Sequence, residues 1–415
     1  MSMKWYRSAK RGAFFEPFAA SVDKELFCSK LKIGNFFEFT KYMVVDGTRH
    51  LDRCEFEAFE KRIARKARSR GFVSSIMRKE RETYEALEKF SEKVEREDLK
   101  QKNSEEIICL LQEYITKAAE AQQTFWVATC ISEGFAKRIK EKLLRALRGL
   151  GKEDELEKYF SVITNPYGYL KTCAHAKETY EKEIRQAISE VKFLEKELKE
   201  INTISEITFL RTYRRGKERS GRDAMYSIVG EIGRRSRIIR SIQMMTYREI
   251  VELLSTEKKV PESKLRKRRK GFVLLFDKGR EEVATGRRGR ALAQETEQPF
   301  AENTTILKGM IACRGIVEGK IMVIQEGEFN KINKKDIIAI TAVTPESSQM
   351  IRRCSGIIAD EGGITCHAAI LSREFKIPCI VGTKVATRIL KNGERVILDA
   401  ERGRVIRKSK QEAPG

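Results

Sequence analysis

Residues 360–370 (DEGGITCHAAI) place a histidine where a glycine turn meets the start of a predicted helix. His367 is one of only three histidines in the chain. The apolar run at 355–360 predicts a short buried strand before it, and the amphipathic pattern at 367–375 predicts a helix after it. The unpaired N–H groups and the positive dipole end of a helix's first turn favour an anion there. This position therefore suits the acceptance of a phosphoryl group by the imidazole ring.

Four residues beside His367 could shape a pocket for a phosphoryl group. Gly362 and Gly363 allow the backbone to approach a phosphate closely, and Thr365 offers a hydroxyl donor. Cys366 adjoins the histidine, where simple packing explains it better than a nucleophilic thiol. The positive field of the helix disfavours imidazolium, so the His367 ring stays neutral and nucleophilic near pH 7. A single histidine beside a loop is more often structural, but these neighbours favour the chemical interpretation.

Residues 362–382 (GGITCHAAILSREFKIPCIVG) resemble the phosphohistidine segment of the phosphoenolpyruvate-utilising enzymes. This family includes phosphoenolpyruvate synthase (pyruvate, water dikinase), pyruvate phosphate dikinase, rifampicin phosphotransferase and, more distantly, enzyme I of the sugar phosphotransferase system. The resemblance spans residues 305–409 and continues at 309–315 (GMIACRG), 317–320 (VEGK), 342–346 (AVTPE), 386–393 (ATRILKNG) and 399–404 (DAERGR). One departure is the ACRG sequence at 312–315, where the family often has ASPG, and it affects the detail of that turn.

The resemblance implies that residues 305–409 form a compact α/β swivelling domain of β/β/α architecture. In the family, the histidine of this domain takes a phosphoryl group at one active site and delivers it at another. His367 would then be the phosphohistidine nucleophile. The residues of its phosphate pocket would be Gly362, Gly363, Thr365 and Cys366.

The sequence lacks the domains that complete this chemistry in the family. Neither an ATP-grasp domain nor a phosphoenolpyruvate-binding TIM barrel is recognisable, and no GxxxxGK[ST] P-loop occurs. We therefore expect this chain alone to bind no cofactor, with ATP and Mg²⁺, or phosphoenolpyruvate, at the site of a partner chain. That partner would be an ATP-grasp protein, a phosphoenolpyruvate-binding protein or both. The acceptor molecule and the direction of transfer stay open.

The chain before this segment is predicted to be mainly α-helical. We assign residues 1–276 to a helical domain with a subdivision near 164–168, 277–304 to a polar linker and 410–415 to a tail. A coiled-coil-like seam with spacings of three and four comprises Tyr180, Ile184, Ala187, Val191, Leu194, Leu198 and Ile201. The predicted fold class is thus multidomain, with a helical N-terminal region followed by a compact α/β domain on a tether.

Positive charge is concentrated before the predicted linker. The chain has a formal charge of +23, and residues 211–290 hold 24 basic and 10 acidic side chains. Within the basic segment 211–276, three arginines lie four apart and would share one helical face, although such a row is more often solvated. These candidates for contacting a phosphate or an anionic partner are Arg211, Arg215 and Arg219. Part of the segment resembles the helical region before the swivelling domain in rifampicin-phosphotransferase-like and synthase-like proteins, without a transferable catalytic residue.

Composition bears on several other classes of protein. No run of 18 apolar residues and no apolar signal core occur, so we expect a cytoplasmic protein that is not bound to a membrane. The nine cysteines form no C-x-x-C pair and indicate reduced thiols, and no metal site is predicted. His50 and His175 lack spaced partners and are assigned structural roles. Few aromatic residues accompany the basic clusters, so nucleic-acid recognition is poorly supported, although contact through 211–290 stays open.

Three hypotheses about function remain. The leading one is a phosphohistidine carrier that works with a separate donor chain in a split phosphotransferase. The second is a non-catalytic regulatory protein that keeps the swivelling fold and binds an acidic protein or RNA through its basic helices. The third is that the helical region binds a small-molecule acceptor, as that of the rifampicin enzymes does. Dependence on His367 separates the first hypothesis from the second.

Overall fold

The computed structural model divides into two compact units. The first comprises Met1–Ile131 with Leu210–Gln298, and the second comprises Ser132–Phe209 with Pro299–Gly415. The described residues are 5–7, 39–45, 48–69, 71–156, 159–160, 189, 191–239, 241–296, 304–324, 333, 335–343 and 351–408. This division differs from the predicted domain boundaries, because residues 132–209 group with the C-terminal segment.

The first unit contains a five-stranded antiparallel sheet. In spatial order its strands are β1 (Trp5–Arg7), β3 (Thr48–Asp52), β2 (Lys41–Val45), β4 (Val273–Asp277) and β5 (Arg280–Ala284). Met43 and Val45, two apart on β2, both enter a core cluster with Val273 and Leu292. The prediction of a mainly α-helical region did not include β1–β3, because strands of three to five residues are too short to stand out beside long charged helices.

The segment 277–304, predicted to be a polar linker, contains regular structure over much of its length. A tight turn at Lys278 and Gly279, with φ of 45° and 86°, connects β4 to β5. Helix α7 (Gly286–Thr296) follows and buries Leu292 against the sheet. The prediction of a polar linker did not include this helix, because few of its side chains are apolar and only Leu292 and Ala293 pack into the core cluster. Residues 297–303 lie outside the described part.

Six helices account for most of the remaining described structure of the first unit. They are α1 (Arg53–Lys66), α2 (Phe72–Arg96), α3 (Ser104–Gly149), α4 (Glu195–Arg235), α5 (Tyr247–Thr256) and α6 (Glu262–Arg269). Residues 132–149 of α3 and 195–209 of α4 are assigned to the second unit. In α2 the buried residues Tyr84, Leu87, Phe90 and Val94 recur every three or four positions, which is the spacing of one helical face.

A buried polar network joins α2, α3 and α4 inside the first unit. The Tyr84 hydroxyl donates to Glu218 at 3.2 Å, and Nε2 of Gln122 donates to the same carboxylate at 3.0 Å. The Arg214 guanidinium lies 3.3 Å from the centroid of the Phe125 ring. Burial raises the pKa of Tyr84 well above its ordinary value, so the phenol stays neutral and donates.

Three of the seven residues in the predicted heptad seam, Tyr180, Ile184 and Ala187, lie outside the described residues, as does the predicted break at 164–168. Within the described part, α4 begins at Glu195, Leu194 is 65% exposed and Ile201 is buried. The seam as a whole therefore stays a prediction.

The second unit contains an eight-stranded mixed sheet. Its strands are β6 (Ile306–Lys308), β7 (Met310–Cys313), β8 (Ile316–Ile324), β9 (Asp336–Ile340), β10 (Gly356–Ala359), β11 (Cys379–Val381), β12 (Arg395–Asp399) and β13 (Arg404–Arg407). Their spatial order is β6-β13-β12-β8-β9-β10-β11-β7. The pairs β8–β9, β9–β10 and β10–β11 are parallel, and the others are antiparallel. The fold is thus helical in its N-terminal half and contains a C-terminal mixed sheet.

Helices cover both faces of this sheet. In β10, Ile357 belongs to the core cluster that includes residues of α8 (His367–Glu374), whereas Ile358 belongs to the cluster that includes residues of α9 (Ala386–Ile389). All four residues of β10 are buried. A parallel strand covered on both faces reads as a continuous apolar run, and this explains the GIIA sequence. The strand therefore holds the loop before α8 from a rigid core.

Candidate functional site

The loop at 360–366 leaves the carboxyl end of β10 and enters α8. The Asp360 N–H donates to the carbonyl of Ile340 at 3.0 Å, which fixes the loop to the end of β9. Gly362 has φ of +102°, and a Cβ there would lie 2.6 Å from Sγ of Cys366. Only glycine suits that backbone and that space. His367 is the first residue of α8, as the sequence predicts, and Cys366 is the N-cap.

A buried carboxylate anchors the start of the loop. Asp360 is only 1% exposed, and its Oδ1 accepts from the Thr383 hydroxyl at 2.9 Å. Its Oδ2 accepts from the Thr387 hydroxyl and, at 3.3 Å, from the Thr387 N–H. These contacts connect the loop to the segment that leads into α9. No role could be predicted for Asp360, Thr383 or Thr387, because the threonines follow the histidine by 16 residues or more.

Arg373, in the last turn of α8, supports the loop from its buried side. It is 6% exposed, and its Nη1 donates to the carbonyls of Ile364 at 2.9 Å and Ala312 at 3.2 Å. Its guanidinium lies 5.2 Å from the centroid of the Phe160 ring. One planar cation thus joins the loop, β7 and an aromatic side chain of the same unit.

Glu133, on the part of α3 that belongs to the second unit, also contacts the loop. Its Oε1 accepts a short hydrogen bond from the Thr365 hydroxyl, whose residue is 2% exposed. Its Oε2 would lie 2.5 Å from a Cβ at Gly363. One helical face carries both this residue and Lys140, whose Nζ donates to the carbonyl of Ile311 at 3.2 Å. No local sequence signal marks Glu133, because it lies 232 residues from Thr365.

The loop brings together all five predicted site residues in residues 362–367. The Cys366 side chain is half-buried and packs against the core cluster beneath α8. The imidazole Nε2 of His367 is buried. Nearby thiols are shielded from reaction, since burial raises the pKa of Cys354 to about 12 and raises that of Cys379 as well. Backbone geometry and buried polar contacts therefore position the loop residues, and the buried thiols take no part in this.

The predicted arginine row lies in α4, within the first unit. Arg219 is exposed, while the side chains of Arg211 and Arg215 lie outside the described part. Arg214 and Lys217, between them, turn inward: Arg214 packs on Phe125, and Lys217 forms an ion pair with Glu88. The role of the row in binding an anion stays a prediction.

The parallel strand β10 is followed by a loop with two glycines and then by a helix that begins at His367. These elements belong to an α/β domain. Residues 332–403 match the family model described as PEP-utilising enzyme, mobile domain. This segment thus matches the mobile domain of the phosphoenolpyruvate-utilising enzymes, which confirms the resemblance found in the sequence. In the described part of the chain, no helix combines the length and apolarity that a membrane crossing requires.

Several synthases of phosphoenolpyruvate are similar to part of this chain. The probable phosphoenolpyruvate synthase of Archaeoglobus fulgidus is 44% identical over 135 residues, which cover 32% of this chain and 18% of that protein. The phosphoenolpyruvate synthase of Pyrococcus furiosus is 44% identical over 118 residues, covering 28% and 14%. The matches therefore span less than a fifth of those relatives. An NMR structure of Enzyme I (nEIt) covers 67% of this chain and 81% of that chain at 15% identity, with a TM-score of 0.20 that supports no argument.

Proposed function

We propose that His367 carries a phosphoryl group between a donor site on another chain and an acceptor. The chemistry would resemble that of phosphoenolpyruvate synthase or rifampicin phosphotransferase. The observation that carries the proposal is the place of His367, which begins α8 directly after the Gly362–Gly363 turn and lies inside the matched segment 332–403. The donor would be an ATP-grasp chain that uses ATP and Mg²⁺, or a chain that binds phosphoenolpyruvate.

The transfer from the donor to His367 and the transfer from His367 to the acceptor are both nucleophilic substitutions at phosphorus. A neutral ring nitrogen of His367 forms the N–P bond, while the P–O bond to the donor breaks and its electron pair stays on the leaving oxygen. The ring then gives up its proton to solvent. In the second step an acceptor hydroxyl oxygen forms a P–O bond and loses its proton, the N–P bond breaks with its electron pair returning to the ring, and the ring takes up a proton, which restores neutral imidazole.

The loop would stabilise the negative charge of the transferred phosphoryl group electrostatically. The backbone N–H groups in the first turn of α8 point toward an anion near the His367 ring, and the helix dipole adds to their effect. Asp360 and Arg373 hold the two ends of the loop through buried hydrogen bonds. The Thr365 hydroxyl and the backbone at Gly363 would then contact phosphoryl oxygens. The backbone donors are preorganised and need not reorient during the transfer, whereas the Thr365 hydroxyl, which donates to Glu133, must first exchange its acceptor.

A second candidate is a non-catalytic binding protein that uses its basic helices. The exposed side chains of Arg266, Lys267, Arg269 and Lys270 on and after α6 favour it. Such binding to an acidic protein or RNA would survive His367→Ala and weaken steeply with salt. Binding of an acceptor molecule by the helical region is compatible with either candidate.

Incubation with a donor chain and labelled ATP tests the proposal. The donor is an ATP-grasp protein, and the expected label is labile in acid and stable in base, as for a phosphoryl–nitrogen bond. His367→Ala should remove the label, while the matched control His175→Ala should keep it. A label of undiminished intensity in His367→Ala would overturn the assignment.

A further inference from the structure

The pocket assigned to the phosphoryl group contains an anion that belongs to the chain itself. The Thr365 hydroxyl donates to Oε1 of Glu133. Oε2 of Glu133 lies 2.5 Å from the ideal position of a Cβ at residue 363. The space left by the missing side chain of Gly363 and the hydroxyl donor were both expected to receive phosphoryl oxygens. A carboxylate presents the same kind of negatively charged oxygen acceptor.

We propose that Glu133 occupies the phosphate pocket while His367 is unphosphorylated, and that a phosphoryl group on His367 displaces it. The inference rests on the proposed function, since it concerns the same histidine. The contact between α3 and the loop would therefore report the phosphorylation state. Bare His367 keeps the loop docked on α3, and phosphorylated His367 releases it.

Two physical reasons make the carboxylate and the phosphoryl group exclude each other. The Thr365 hydroxyl has one proton and can donate to only one of them. A phosphoryl group on His367 also carries nearly two negative charges, and these repel the Glu133 carboxylate at contact distance. Release of Glu133 removes the repulsion and returns its charge to solvent.

The other contacts of α3 with the domain lack this sensitivity. Lys140 donates to a backbone carbonyl, that of Ile311, and its ammonium is attracted to a phosphoryl group rather than repelled by it. The contact of Glu133 with the loop is thus attractive while His367 is unphosphorylated and becomes repulsive when His367 carries a phosphoryl group. Burial of Nε2 of His367 in the docked arrangement fits a resting state in which this nitrogen is protected from reagents.

Chemical phosphorylation tests the inference without a partner chain. Phosphoramidate transfers its phosphoryl group to histidine nitrogen as its own P–N bond breaks and ammonia leaves. The full-length chain is treated with phosphoramidate, and His367 labelling is followed by peptide mass spectrometry. Glu133→Ala should label about tenfold faster than the wild type, the factor expected from loss of one charge-assisted hydrogen bond that holds the closed state. Glu133→Gln, which keeps the shape and loses the charge, should show a smaller acceleration.

Hydrogen exchange supplies the second measurement. Amides at 362–366 and 132–140 should exchange faster in the phosphorylated wild type than in the unmodified protein, and Glu133→Ala should show the fast pattern before labelling. The matched control is Glu141→Gln, an exposed carboxylate on the same helix, which should change neither readout. Equal labelling rates in the wild type and Glu133→Ala, with unchanged exchange after phosphorylation, would overturn the inference. Failure of labelling by the donor chain, with these results as expected, would instead count against the proposed donor alone.

Discussion

The carboxylate of Asp360 and the hydroxyl of Thr383 form a buried hydrogen bond of 2.9 Å that joins the end of β10 to the segment after β11. Together with the contacts to Thr387, it fixes the point where the loop leaves the sheet. The loop's geometry therefore depends on residues that carry no chemistry of their own.

Removal of the Asp360 carboxylate should destabilise the domain locally. Asp360→Ala removes the acceptor of the Thr387 N–H and hydroxyl and leaves the Thr383 hydroxyl only the carbonyl of Ala359, at 3.2 Å, at a cost of about 1–3 kcal/mol. Asp360→Asn keeps one acceptor and should lose less. Native-state hydrogen exchange of the β10 amides measures the free energy of opening. Equal opening free energies in the wild type and Asp360→Ala would contradict the anchoring role.

Substitution of Gly363 should depend on Glu133. In the wild type, Gly363→Ala places a methyl group 2.5 Å from Oε2 of Glu133 and should cost about 1–3 kcal/mol. The cost should nearly vanish in a Glu133→Ala background, as measured by a double-mutant cycle on thermal unfolding.

Gly362 provides the matched control for that cycle. Its φ of +102° and the nearby Cys366 sulfur make Gly362→Ala unfavourable in either background. An identical cost of Gly363→Ala with and without Glu133 would show that this carboxylate does not approach the loop.

Arg373→Lys should slow phosphorylation of His367 even though it keeps the charge. The shorter lysine side chain lacks the guanidinium that packs on the Phe160 ring while Nη1 donates to the Ile364 and Ala312 carbonyls, so the loop loses support. We expect a decrease of about tenfold in the rate of labelling by the donor chain, together with a stability loss of about 1–3 kcal/mol. Arg352→Lys, an exposed arginine over the Phe375 ring, is the control and should label normally. A normal rate in Arg373→Lys would argue that the loop keeps its form without the guanidinium.

Acid should destabilise the first unit through Glu231. Hydrogen bonds from Arg234 and then Arg235 lower the pKa of Glu231 from 4.5 to about 2. Because the folded-state pKa lies below the unfolded value, the stabilisation is fully present above about pH 4.5 and is lost as the pH falls toward 2.

Thermal unfolding measured across that pH range checks this prediction. Glu231→Gln should be less stable than the wild type at neutral pH, and the difference should shrink as the pH falls from about 4.5 to about 2. A difference that stays constant over this interval would contradict the assignment. Loss of the Glu231 charge also weakens the hold on Arg235, whose side chain donates to the carbonyl of Lys102 at 2.5 Å.

The loop and the helix at His367 could be predicted from sequence because their determinants are local. The GIIA run, the glycine pair and the amphipathic pattern lie within about 20 residues, and each has a direct backbone meaning. The contributions of Asp360, Arg373 and Glu133 could not be predicted, since their partners are set by tertiary packing. The β2–β3 hairpin was missed for another reason: its pairing with β4 joins residues more than 200 positions apart.

The contact between Glu133 and Thr365 also bears on how the protein is synthesised. Glu133 emerges from the ribosome 232 residues before its partner, so this part of α3 can fold long before the loop exists. Closing so long a stretch of chain is slow and comes after local helix formation. The pocket around His367 is therefore a late product of folding, and a nascent chain lacks the contact between Glu133 and Thr365 until residue 365 has been translated.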